Sequence, residues 1–204
     1  MIEAFLFLQI LDVMSTLAGF SLGNTEASPF IRLLIRWGPM TGLAAAKLVA
    51  ATHPGRTIRV VMWGSEETGG SGAAYLAAHK NDLDSIVIAG ESDLGADRIY
   101  SLQLPAGGWS DPAIVPLEAV LAPLKVIASP DPASDGGADV ENIHRAGVPI
   151  LALNQDATRY FDYHHSADDT LAIVDPQQLK QNVAAWAAML SVLADSSVDF
   201  RRKK

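Results

Sequence analysis

The chain has 204 residues, with 15 Lys and Arg against 23 Asp and Glu, five His and no Cys. A formal charge of −8 argues against nucleic acid as a main partner, and the lack of cysteine removes both a disulfide scaffold and a thiolate metal site. Hydrophobic residues at 49% exclude a disordered chain and leave enough apolar side chains for a core.

The charge is unevenly spread. Residues 1–50 balance Arg32, Arg36 and Lys47 against Glu3, Asp12 and Glu26, so all of the net charge lies in residues 51–204. The first fifty residues are also much more apolar, and the chain divides into a hydrophobic, membrane-like helical segment at 1–50 and an α/β domain at 51–204. Ala4 to Phe20 is nearly continuous apolar sequence at the short limit for a membrane span. Asp12, near its middle, would cost about 2.5–3.5 kcal/mol to insert. Phe30 to Ala51 is a weaker candidate, carrying Arg32, Arg36, Pro39 and Lys47. Met1-Ile2-Glu3 lacks the basic start of a signal peptide. Membrane association through residues 4–50 is therefore expected in preference to a soluble cytoplasmic or secreted form, with helices of a soluble core as the alternative.

Beyond residue 50 the pattern alternates. Thr57 to Trp63 is β-branched and stops at Gly64, which predicts a strand. Ser71 can open a helix reaching about Lys80. Ser85 to Ala89 and Arg98 to Leu104 read as strands, and Pro112 to Ala128 as a helix. Asp139 to Ala146 reads as a short helix closed by Gly147, and Val148 to Leu153 as a strand. Asp175-Pro176-Gln177-Gln178 forms an N-cap with Pro at the first helical position and Gln two residues later. The helix that follows should bury Leu179, Val183, Trp186 and Leu190 on one stripe. Phe200 to Lys204 reads as a frayed basic tail. The predicted architecture is α/β: a mixed, mostly parallel sheet flanked by helices, preceded by one or two hydrophobic helices.

In such sheets sites form beyond the carboxyl ends of strands. Glu66-Glu67 follows the first strand, Asp93 follows the second through Gly90-Glu91-Ser92, and His164-His165 lies after the Val148–Leu153 strand. Two adjacent carboxylates, a third carboxylate and an imidazole suit zinc or a related divalent metal. Of the Glu-Glu pair, one side chain can bind the ion while its neighbour takes a proton from water. The bland alternative is two solvated surface glutamates. His164 is a supporting residue, an alternative ligand or an ordinary loop residue. Asp135 and Asp139, around Gly136-Gly137, either border a substrate site or serve the turn. His79 and His144 fall on helix surfaces, and Trp63 and Trp186 in the core. Gly69-Gly70-Ser71-Gly72-Ala73 misses a nucleophile elbow because Ala73 stands where the last Gly belongs.

Two resemblances sharpen this reading. Leu11-Asp12-Val13-Met14-Ser15-Thr16, Glu26, Ser28-Pro29, Gly38-Pro39 and Lys47 resemble the start of a small uncharacterised prokaryotic integral-membrane family, with Ser28 where that family usually has Asn. Val61-Met62-Trp63-Gly64-Ser65-Glu66-Glu67-Thr68-Gly69, Glu91-Ser92-Asp93-Leu94-Gly95, Gly136-Gly137-Ala138-Asp139 with Ala146-Gly147-Val148-Pro149, and His165-Ser166-Ala167-Asp168-Asp169-Thr170 resemble the second half of the zinc-dependent exopeptidase family of leucyl aminopeptidases, aminopeptidase Y and carboxypeptidase Q. That resemblance implies an incomplete zinc-exopeptidase fold and a peptide substrate. It makes Glu66 the general base and Glu67, Asp93 and His165 metal ligands. The family holds one or two zinc ions with five ligands. Its first His and its bridging Asp precede the Glu-Glu strand, and residues 1–52 contain no His. His53 falls at the wrong end of the strand, roughly 30 Å from Glu67 at about 3.3 Å per extended residue. At most one well-held ion is therefore expected, with impaired exopeptidase activity. The alternative is a non-catalytic membrane-associated fragment or fusion product. The oligomeric state and the cleaved terminus are not encoded in any pattern found.

Overall fold

The computed structural model describes residues 55–61, 63, 70–110, 112–133 and 136–202. The expected hydrophobic helices at 1–50, together with His53, Glu66, Glu67 and Asp135, lie outside the described residues. Among the described residues no helix is long and apolar enough to cross a membrane.

The centre of the sheet is β1 (Ile99–Gln103), whose Ile99 and Leu102 are completely buried. On one side it pairs in parallel with β2 (Ile127–Ala128), matching Ser101 with Ile127 and Leu102 with Ala128. On the other it pairs antiparallel with β3 (Ala152–Gln155), with an irregularity between Ile99 and Ser101. A parallel bridge between Ala89 and Ile150 carries the sheet one step past β3, through Ala89 N–H to Pro149 O and Leu151 N–H to Ala89 O, both 2.9 Å. The expected mixed sheet with flanking helices is thus present.

The helices are α1 (Ser71–His79), α2 (Ile114–Leu121), α3 (Glu141–Arg145), α4 (Tyr160–Tyr163) and α5 (Pro176–Asp195). One core joins β1 to α2 and α5 through Leu102, Leu117, Leu121, Leu153, Ala185, Met189 and Leu193. A second, smaller core lies under α1 and α3 and contains Val140, Ile143, Val148 and Ile150. A side chain of this kind contributes about 1.5–3 kcal/mol on full burial.

Several sequence expectations are corrected. The described part of Thr57–Trp63 pairs with no strand among the described residues. β-branched composition favours extension, but a strand exists only where a neighbour takes its ladder bonds. This stretch and the two residues before it are held by one backbone bond, Arg56 N–H to Ala194 O (2.9 Å), and by side chains. Arg56 donates to Leu193 O (2.9 Å) and Val198 O (2.6 Å), Gly55 N–H to Asp195 Oδ1 (3.1 Å), and Arg59 to Tyr75 Oη (2.9 Å). In Ser85–Ala89 only Ala89 pairs, because Leu83–Ser85 closes as a 3-10 turn. The helix expected to reach Ala128 stops at Leu121. A tight turn over Ala122–Leu124 contains Pro123, Lys125 adopts φ 61°, and the chain reverses into β2. The strand expected at Val148–Leu153 begins at Ala152 and runs on to Gln155. Phe200 is not frayed: it is 4% exposed and packs in the main core, while Arg201 forks onto Asp199. His79 and His144 are half-buried rather than solvated, bonded at 3.0 Å to Tyr75 O and Val148 O.

The stripe expected on α5 is present in part: Trp186 and Leu190 pack against the main core, but the most buried line runs beside them. Asn182, Ala185, Met189 and Leu193 are buried, whereas Val183 is exposed. The polar residues face inward because β1 needs them. Gln181 Oε1 accepts from Ile99 N–H (2.8 Å), and its Nε2 donates to Ile99 O (2.8 Å) and Leu124 O (3.0 Å). Asn182 donates to Asp97 O (2.8 Å), and Gln178 accepts from Arg98 N–H. β2 is only two residues long, so on that side these amides stand in for the strand neighbour that Ile99 lacks.

The cap of α5 is as expected: Asp175 Oδ1 accepts from Gln177 N–H (2.7 Å) and Gln178 N–H (3.3 Å). These bonds hold the Asp175 carboxyl below its ordinary range. A depressed carboxyl stabilises the fold fully above the unfolded value of about 3.9, and loses that contribution as pH falls through the folded value. Asp175→Ala is therefore expected to lower the melting temperature at pH 7. The gap from the parent should close on acidification below the unfolded value, as read in melts across a pH series.

Candidate active site

Asp93 stands exposed in a tight turn, where Gly95 N–H returns to Asp93 O (2.9 Å) and Gly95 takes φ 89°. The turn is anchored two residues earlier. Glu91 is half-buried, and its Oε2 accepts from Asp139 N–H (3.1 Å) and Val140 N–H (3.0 Å). Burial raises the Glu91 carboxyl above its ordinary range; the neighbouring charges of Asp93 and Asp139 add to the rise, and the two N–H donors oppose it.

His165 is exposed after α4 and takes φ 56°, a left-handed conformation that is uncommon for a residue other than glycine. The His164 ring meets that of His165 edge-on at 3.8 Å between centroids and lies against Tyr160 at 4.7 Å. His164 is thus the packed neighbour of His165.

One ion pair ties the two loops together. Arg159, at the start of α4, forks onto Asp97 through Nε (2.8 Å) and Nη2 (2.7 Å), and Nη2 also donates to Ile173 O (2.9 Å). Asp97 lies four residues after Asp93 and Arg159 six before His165, so the fork joins the segment that follows Asp93 to the one that precedes His165. The bond to Asp97 raises the Arg159 guanidinium further above its ordinary value. Arg159→Lys keeps the charge but not the planar fork. With one side open to solvent, the expected loss is about 1 kcal/mol, read as faster amide exchange over residues 160–173.

Asp93 and His165 are thus on linked loops and open to solvent, an oxygen and a nitrogen donor of the kind zinc takes. Among the described residues no three His, Asp or Glu side chains gather as a metal ion requires. The described donors meet the need in part, and Glu67, the expected third, lies outside them with Glu66. Sequence reasoning singled out neither Glu91 nor Arg159. Their partners are 48 and 62 positions away, and only the abundance of glycine around 136–137 hinted at a close approach.

The family model described as "Peptidase family M28" matches residues 37–190. The chain belongs to peptidase family M28. Carboxypeptidase Q from Homo sapiens is 36% identical over 145 residues and that from Xenopus laevis 33% over 144. In both cases the match covers 70% of this chain, which spans only 30% of the length of these curated relatives. A crystal structure described as a peptidase M28 precursor from Shewanella amazonensis SB2B superimposes with a TM-score of 0.67 at 39% identity, covering 78% of this chain and 37% of that one. The match agrees with the zinc-exopeptidase family that the motifs of this M28 chain suggested.

Proposed function

We propose that this M28 chain is a zinc-dependent exopeptidase of the aminopeptidase-like kind, hydrolysing terminal peptide bonds slowly with a single ion. The observation that carries the reading is the Arg159–Asp97 fork within the M28 match, which joins the segment after Asp93 to the one before His165. Glu67, Asp93 and His165 would hold the ion. When bound, it would polarise the peptide carbonyl and acidify the attacking water. Glu66 would accept a proton from that water and pass it to the departing amine. Within this sequence, residues 1–52 offer no histidine, so turnover is expected to be impaired. Association with a membrane through residues 4–50 belongs to the same proposal and is read by co-sedimentation of the full chain with phospholipid vesicles.

A non-catalytic role is the second reading, favoured by the lack of any histidine in residues 1–52. Release of a chromogenic amine from aminoacyl substrates with added zinc separates the two. Zinc-dependent turnover supports the enzyme; a folded chain with none supports the alternative.

A further inference from the structure

Three segments meet at Asp139, which is only 3% exposed. Its N–H and that of Val140 hold the Glu91 carboxylate. Its Oδ1 accepts from Ser71 Oγ, at the first residue of α1. Two glycines permit this closeness. A Cβ on Gly72 would stand 2.2 Å from Asp139 O, and one on Gly137, at φ 107°, would stand 2.7 Å from the Glu91 carboxylate. Asp139 Oδ2 is buried with no hydrogen-bond partner among the described residues. Burying a carboxylate this incompletely satisfied works against stability, and an apolar residue would fill the space at lower cost. A purpose other than packing is needed for an acid at this position.

We propose that Asp139 is a positioning residue that clamps the Glu91-Ser92-Asp93 turn to the start of α1 and so fixes where Asp93 stands. The Ser71 bond orients the Asp139 side chain, and with it the peptide N–H groups that hold Glu91. This inference rests on the proposed role of Asp93 as a ligand, and deepens it.

The experiment compares the full chain with Asp139→Ala, Ser71→Ala and Ser71→Thr by site-resolved amide exchange and by zinc competition against a chromogenic chelator. Asp139→Ala and Ser71→Ala should speed exchange at residues 91–95 at least tenfold while β1 and α5 stay protected. Apparent zinc affinity should fall by a similar factor, and Ser71→Thr should restore both. Unchanged exchange at 91–95, or a rise spread evenly over the molecule, overturns the clamp. If Asp139→Ala does not fold, Ser71→Ala carries the same readouts. If the parent chain takes up no zinc in an Asp93-dependent way, the metallopeptidase reading fails, while exchange at 91–95 still decides the clamp.

Discussion

Glu66→Gln should reduce zinc-dependent release of amine from an aminoacyl substrate about 10²–10⁴-fold, the range for loss of a positioned general base. Glutamine keeps the shape of the side chain and its place in the motif, but cannot take a proton from water. Zinc uptake by Glu66→Gln should match the parent, because Glu67, Asp93 and His165 are the proposed ligands. Glu67→Gln should show the opposite pairing, weak zinc uptake accompanied by lost turnover. The contrast between adjacent positions separates base from ligand. A Glu66→Gln chain that turns over substrate at the parent rate would end the proposed mechanism, and equal zinc loss in both variants would show that the two glutamates do not divide the work.

Gln181→Ala should destabilise the fold by about 3 kcal/mol, given roughly 1–3 kcal/mol for each buried polar group left unpaired. The side chain serves one N–H and two carbonyls, at Ile99 and Leu124, with all three bonds at 3.0 Å or less. Ile99 is fully buried, so water replaces these bonds poorly. The measurement is a urea titration, in which the midpoint should drop with the slope unchanged. A loss below about 1 kcal/mol, the net worth of one ordinary hydrogen bond, would mean that β1 finds other partners. Gln181→Glu keeps an acceptor for Ile99 N–H but sets a charge beside two carbonyl oxygens, and should recover little.

These residues show why parts of the fold were legible and others were not. Asp175 was readable because a cap is local, its donors lying two and three positions ahead. Gly147, at φ 104°, announced the end of α3 for the same reason. The α5 stripe is legible at Trp186 and Leu190 but not at Val183, because amphipathic reasoning sends amides to solvent, whereas Gln181 and Asn182 are turned toward the backbone at the sheet. Thr57–Trp63 was misread because pairing depends on a neighbour that composition does not reveal. The motifs nominate Asp93 and His165 as candidate ligands through residue type and local order alone. The bonds of the flanking segments, Arg159 with Asp97 and Asp139 with Glu91, join residues too far apart in the chain for any periodicity to connect.

Arg56 joins the first described residues to the end of α5 and to Val198 just past it, close to where Phe200 enters the core. The segment after α5 therefore acts as a latch on the stretch that precedes the two proposed site glutamates in sequence. Trimming the chain after Asp195, or crowding Phe200 with a fused tag, would release that latch from the far end of the sequence. The residues from Val198 to Phe200 are thus part of the packed structure.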